Sequence, residues 1–225
     1  MFLEQRDFLN PGEVARLIAL SREIHFIEGR TSNPQNTSKV NLQADLADKQ
    51  NTEAARIVLG AFARSRPFRD FAMPKKIAPP LLSRYEPRMK YGPHADTPFM
   101  VVPHEGGVMQ LRSDLSCTIF LNDPRSYEGG ELVLHAGTRP VVIKGVPGEA
   151  FVYPSTFLHE VRPVTKGQRL VSITFIESLV PDERLRNTLF ELKDVMSLEA
   201  LKMDRVNWVR MDVALSNLTR RWSQP

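Results

Sequence analysis

Between residues 67 and 178 the apolar pattern comes in runs too short for helices, broken at regular intervals by Pro and Gly. Seven β-rich runs are visible, at 81–86, 116–121, 131–135, 141–143, 150–153, 160–164 and 169–176. Turn signals fall around them: APP at 78–80, YGP at 91–93, EGG at 128–130, VPG at 146–148 and TKG at 165–167. Many short strands at this spacing cannot bury themselves as one flat sheet, and they indicate a sandwich or barrel. Helical periodicity returns on both sides. The expected class is therefore α+β with a mainly β core: a double-sheet jelly roll packed by helices.

The pattern divides the chain into three parts: a helical support over 1–66, the jelly-roll core over 67–178 and a helical extension over 179–225. In the first part, Asn10-Pro11 is a helix start, with Asn as N-cap and Pro at the first helical position. Val14, Leu17, Ile18 and Ser21 follow at helical spacing, so a helix is expected over 11–24. The stretch GRTSNPQNTS at 29–38 reads as a loop, and a second helix over 51–64 carries Ala55, Val58, Leu59 and Phe62 on one face. In the third part, Pro181-Asp182-Glu183 opens a helix continued by Leu185, Leu189 and Leu192. A further helix over 197–221 bears Trp208, Met211, Leu215, Leu218 and Trp222 on one face. That face suits packing on the β core, or association of copies into a homo-oligomer through the C-terminal helices.

Composition closes off several classes. At 225 residues with 42% hydrophobic and 25% charged side chains, neither a disordered chain nor a membrane bundle is indicated. No apolar run approaches the ~20 residues of a spanning helix. The first ten residues carry Glu4, Arg6 and Asp7 rather than the basic start and apolar core of a signal peptide, which reads as a cytoplasmic protein. The single cysteine, Cys117, excludes an internal disulfide and a Cys-rich zinc module, so any metal must be held by His and carboxylates. Net charge is +4. The excess is local, at Arg64, Arg66, Arg69, Lys75, Lys76, Arg84, Arg88 and Lys90. It reads as a solvated face, or as a basic entrance for an anionic substrate.

Three residues carry candidate chemistry: His94, Asp96 and His159. In a strand, positions i and i+2 share a face, so His94 and Asp96 can aim two ligands at one point. A third ligand from distant His159 completes a two-His, one-carboxylate set that suits Fe(II) and leaves coordination positions open. An H-x-D pair alone is a common coincidence. Arg169 strengthens it. A three-residue turn at Thr165-Lys166-Gly167 predicts a hairpin in which Pro163 opposes Arg169 and His159 opposes Ile173. Arg169 then shares His159's face about 14 Å along the strand, a span that an Arg side chain and a five-carbon dicarboxylate can bridge.

The segments LSRYEPRMKYGPHAD (82–96), DLSCTIFLND (114–123), YEGGELVL (127–134) and VYPSTFLHEVRPVTKGQRLVSITFIES (152–178) resemble the Fe(II)/2-oxoglutarate-dependent dioxygenases of the prolyl-hydroxylase-like class. The likeness is to the bacterial PKHD-type hydroxylases, the iron-uptake factor PiuC group, and covers essentially the whole chain. It implies a double-stranded β-helix core. It implies Fe(II), 2-oxoglutarate and O2, with ascorbate as a candidate reductant, and hydroxylation of a substrate with release of succinate and CO2. Residue by residue it implies iron ligands at His94, Asp96 and His159, the 2-oxoglutarate C5 carboxylate at Arg169, and Tyr85 near the cosubstrate. Phe120 departs from the pattern: related hydroxylases place a tyrosine there that also holds the C5 carboxylate. Thr118 or Ser172 could substitute. The resemblance also implies a link to iron or siderophore uptake, and an unidentified small-molecule or peptide substrate.

Other residues read blandly. Loop 97–113 holds His104, read as an exposed loop residue or a substrate contact. Cys117 reads as a buried small hydrophobe, and His135 as a strand end. Two alternatives remain: an oxidative nucleic-acid demethylase, favoured by the basic stretch alone, and a non-catalytic iron or 2-oxoglutarate sensor or structural subunit.

Overall fold

The computed structural model describes residues 1–104 and 106–224. Two antiparallel sheets face each other. The larger has the order Leu3–Gln5, Ala150–Pro154, Leu115–Phe120, Arg169–Ser178, Leu81–Tyr85, Leu42–Ala44 and Phe26–Glu28, with Pro74–Ile77 paired to the end of Arg169–Ser178. The smaller runs Val141–Ile143, Leu132–Leu134, His159–Val161, Lys90–His94 and Lys39–Val40. This is the jelly roll expected from the pattern, open rather than closed into a barrel.

Among the described residues, five α-helices flank it: α1 (Pro11–Glu23), α2 (Lys49–Arg64), α3 (Arg66–Ala72), α4 (Glu183–Glu199) and α5 (Arg205–Trp222). Asn10 caps α1 as its sequence predicts, accepting from the Glu13 amide while Glu13 reaches back to the Asn10 amide. Asp48 starts α2 two residues before the expected point, accepting from the Gln50 and Asn51 amides. The short α3 has no legible apolar period; Ser65 ends α2 and caps α3 at once. Asp204 begins α5 later than expected, because α4 continues to Glu199.

Helices α1 to α3 seal the outer face of the large sheet. Leu17, Leu20, Val58, Phe62, Phe68 and Phe71 pack there on Leu82, Leu115, Ile119 and Leu170, all buried. Each such side chain contributes about 1.5–3 kcal/mol. The inner face, with Tyr85, Phe120, Phe151 and Val171, meets Leu132, Leu134 and Val161 of the small sheet. The Trp208 and Leu215 face of α5 packs on Leu189 and Met196 of α4 and on Met73 and Val180, not on the β core.

Three expectations are corrected. The first 66 residues are more than helical support: Leu3–Gln5, Phe26–Glu28 and Leu42–Ala44 extend the large sheet, and Lys39–Val40 the small one. Strands of two or three residues are too short to show a period. Residues 97–113 are not a loop. Phe99–His104 and Gly107–Arg112 form an antiparallel hairpin, Phe99 opposite Arg112. Glu105 and the side chain of His104 lie outside the described residues, so the reading of His104 is not addressed. Third, the hairpin linking His159 to Arg169 does not form. The expected run 160–164 splits, and Val164–Lys166 pairs instead with Glu128–Gly129. Pro163 has no N–H for a ladder, and its carbonyl accepts from the Gly130 amide. The EGG turn is needed there: Gly129 has φ +71°, and a Cβ on it would lie 2.0 Å from the Pro163 oxygen.

One buried carboxyl leaves a testable mark on stability. Glu149 is 6% exposed; one oxygen accepts from the Val146 amide at 2.9 Å and the other has no partner. Burial pushes its carboxyl up, and neighbouring Glu4 adds to that. A carboxyl raised in the folded state costs stability as pH climbs past its ordinary range, because the folded protein then holds an ion the unfolded chain solvates better. Glu149→Gln keeps the acceptor. Its urea midpoint should exceed the parent's at about pH 8 and approach it at about pH 4. An identical difference at both pH values would refute this.

Candidate metal centre

His159 opens its strand directly opposite His94 in the register of the small sheet. An extra residue at Gly92-Pro93 shifts that ladder, since Val161 pairs with Tyr91. The strand ends at His94, so Asp96 reaches the site from the segment after it rather than from the strand's own pleat. The three residues still converge. His94 Nε2 lies 3.9 Å from Asp96 Oδ1, and His159 Nε2 lies 3.7 Å from Asp96 Oδ2. One ligand atom from each lies within 4.8 Å of the others.

Both rings are held alike. His94 Nδ1 is 2.8 Å from the Gly92 carbonyl, and His159 Nδ1 is 2.9 Å from the Phe157 carbonyl. A carbonyl only accepts, so each Nδ1 carries the proton and each Nε2 presents a lone pair to the shared point. Tyr91 stacks on His94 with ring centroids 3.5 Å apart. Burial, with the neighbouring His159, pushes the His94 imidazole down to about 4, so it is a neutral donor at ordinary pH. Burial pushes the Asp96 carboxyl up, while His159, the Ser116 hydroxyl and Lys39 pull it back. Ser116 donates to Asp96 Oδ2 at 2.5 Å and is itself 2.7 Å from Ser155. Two imidazole nitrogens and one carboxylate converging on one buried point fit a single divalent ion of the Fe(II) type.

The site lies in a cavity of about 420 Å³ between the sheets. His159 stands on one wall and Arg169 on the other, so the two meet across the cavity rather than along one strand. Arg169 is 2% exposed, and its Nε has no partner. Its guanidinium carbon lies 5.0 Å from the Tyr85 ring centre and 5.9 Å from that of Phe120. Gly130 backs it, where a Cβ would come within 3.1 Å of Arg169 Cδ. A buried guanidinium with an unspent donor fits a carboxylate guest. Tyr85 is its ladder partner, as well as a ring beside it. Thr118 lines the cavity near Tyr153. Ser172 does not: it alternates with Leu170 toward the helices, and its hydroxyl is buried without a partner.

Cys117 is 1% exposed with its thiol pushed up by burial, an inert hydrophobe. His135 meets Glu160 at 3.6 Å on the neighbouring strand, away from the centre. Sequence reasoning missed Ser116, Tyr91 and Lys39. Ser116 had a signal, a polar residue alternating with Thr118 in an otherwise apolar strand. Lys39, in a run of polar loop residues, had none.

If Ser116 orients Asp96, Ser116→Ala should weaken Fe(II) or Co(II) binding by about 10–100-fold with little change in thermal midpoint. Metal affinity within twofold of the parent would show that the hydroxyl has no such role.

Residues 80–177 match the model of the 2OG-Fe(II) oxygenase superfamily. A PKHD-type hydroxylase from Sphingopyxis alaskensis is 46% identical over 198 residues, 88% of each chain. Another from Paracoccus denitrificans is 35% identical over 228 residues, 100% of each chain. A prolyl-4-hydroxylase structure from Pseudomonas putida superposes with a TM-score of 0.54 at 18% identity, covering 79% of this chain and 92% of its own, which establishes the common fold. With this fold and this donor set, the chain belongs to the 2OG-Fe(II) oxygenase superfamily and, within it, to the PKHD-type hydroxylases, oxygenases that work with Fe(II), 2-oxoglutarate and O2.

Proposed function

We propose that His94, Asp96 and His159 hold the Fe(II), that Arg169 grips the distal carboxylate of 2-oxoglutarate, and that Tyr85 shapes the pocket around it. The observation that carries this reading is Arg169, buried with a free donor and facing the three-ligand cluster across one cavity. Bound iron and 2-oxoglutarate supply the oxidising chemistry: 2-oxoglutarate, O2 and a substrate C–H yield succinate, CO2 and an alcohol. The chain's own residues do the rest. The carbonyls of Gly92 and Phe157 fix the imidazole tautomers, and Ser116 orients the carboxylate. Tyr85, Phe120, Leu132 and Val161 keep the deep end dry, which strengthens a carboxylate–guanidinium pair. Thr118 and the neighbouring Tyr153 are the hydroxyls placed to stand in for the one Phe120 lacks.

The substrate is a small molecule or peptide, and the resemblance sets the reaction in iron or siderophore uptake, with ascorbate as reductant. The setting we infer is cytoplasmic; among the described residues, no helix is long and apolar enough to cross a membrane. Copies would associate through the outer side of the C-terminal helices, where Leu198, Val206 and Val213 are exposed. In the basic stretch, Arg64 pairs with Glu13, Arg66 with Asp70, Lys75 and Lys76 with Glu177, and Arg84 with Glu86, which favours the solvated-face reading over a nucleic-acid surface.

Anaerobic titration with Fe(II) and 2-oxoglutarate tests the assignment through the visible charge-transfer band of their chelate. The parent should need both additions. His159→Ala should abolish the band. Arg169→Ala should retain it but demand about 10–100-fold more 2-oxoglutarate, the worth of a paired charge-assisted contact. A parent that binds neither ligand would overturn the assignment and favour a sensor or structural role.

A further inference from the structure

The cavity holds a second cation for which iron and 2-oxoglutarate have no use. Lys39 sits on the edge strand Lys39–Val40, paired with Lys90 and Tyr91 beside the metal centre. It lines the cavity yet is only 7% exposed. Its ammonium donates to Ser32 Oγ at 2.6 Å and to Gln43 Oε1 at 3.4 Å, and stands 5.4 Å from the centre of the Tyr91 ring. Both acceptors are neutral. Burying a cation with neutral hydrogen-bond partners is costly: burial pushes this ammonium down to about 8, with the Asp96 charge across the cavity opposing the shift, which still leaves it charged near neutrality.

Charge accounting shows what is missing. Among the described residues, the charged side chains lining the cavity are Lys39, Arg169 and Asp96. On the reading above, Asp96 and the two carboxylates of 2-oxoglutarate supply three negative charges, against two from a divalent ion and one from Arg169. One positive charge remains, and it belongs to Lys39. The walls near the mouth are apolar: Leu46, Phe99, Met100 and Val101 line the same cavity, with Phe99 56% and Val101 71% exposed.

We propose that Lys39 anchors the primary substrate, and that this substrate is an amphipathic organic monoanion, its carboxylate received by Lys39, Ser32 and Gln43 and its apolar body by Phe99, Met100 and Val101. A carboxylate there would accept from the ammonium, and from the Ser32 hydroxyl and the Gln43 amide once these turn from their present bond, Ser32 Oγ to Gln43 Oε1 at 2.8 Å. The proposal rests on the Fe(II)/2-oxoglutarate reading above. It places the substrate's charge on the small-sheet edge, apart from the Arg169 end that takes the cosubstrate.

The test uses anaerobic protein saturated with Fe(II) and 2-oxoglutarate, so that Arg169 is already engaged. Calorimetric titration with phenylacetate and hexanoate is compared with their neutral amides. The parent should bind each carboxylate about tenfold or more tightly than its amide. Lys39→Met and Lys39→Gln should erase that preference and Lys39→Arg retain it, while the Fe(II) and 2-oxoglutarate affinities of all three stay within about threefold of the parent. Absence of carboxylate preference in the parent, or its survival in both neutral variants, sinks the proposal. So does a loss of 2-oxoglutarate affinity in the neutral variants matching that of Arg169→Ala, since Lys39 would then serve the cosubstrate. A parent that forms the Fe(II)/2-oxoglutarate band but ignores the anions refutes the Lys39 assignment alone; one that forms no band refutes the metal reading beneath it.

Discussion

The register of one short ladder supports everything else in this protein. His159 opposite His94 brings two imidazoles from positions 65 residues apart in the chain to a ring separation of 4.2 Å. Each ring is then pinned by the carbonyl two residues before it, which leaves both lone pairs on the same side. A slip of one residue would turn one ring away and destroy the site. The bulge at Gly92-Pro93 and the pairing of His159–Val161 with Leu132–Leu134 hold that register from both sides.

The two sheets divide the chemistry between them. The small sheet carries the imidazoles and Lys39. The large sheet carries Arg169, with Tyr85 and Phe120 on either side of it. Because the sheets face each other, an anion held by Arg169 lies opposite the metal ligands rather than beside them. Burial sharpens this arrangement, since a guanidinium in a dry pocket attracts a carboxylate far more strongly than one in water. The same burial makes an unpaired polar group costly, so Arg169 Nε, buried without a partner beside the cavity, is informative, as is the Lys39 ammonium, buried with neutral acceptors only.

The N-terminal segment is part of the site rather than an accessory. Its helices seal the outer face of the large sheet, and its short strand at Lys39–Val40 completes the small one. The hairpin Phe99–His104 with Gly107–Arg112 supplies the opposite, apolar rim of the cavity. These two segments differ in chemistry, one polar and cationic, the other apolar. The substrate selectivity proposed above rests on that contrast rather than on the shared jelly roll.

Local sequence carried the helix starts, because Asn10-Pro11 and Asp182 act within one turn of their own positions. It also carried core strands such as Leu115–Phe120, Ala150–Pro154 and Arg169–Ser178, whose β-rich runs are written in their own side chains. The cluster of His94, Asp96 and His159, which could hold a metal, was readable through a resemblance to known motifs, since spacing alone could not bring His159 to the pair. What local pattern could not hold was pairing. Whether Val164–Lys166 meets Arg169's strand or Glu128–Gly129 depends on competing ladders and on the close approach that Gly129 permits. Sequence by itself determined the mainly β core between helical flanks and the residue types that can bind a metal. Only the tertiary structure decided that His159 and Arg169 face each other from separate sheets, and that Lys39 joins them, because hydrogen-bond partners distant in the chain are chosen by packing and not by local preference.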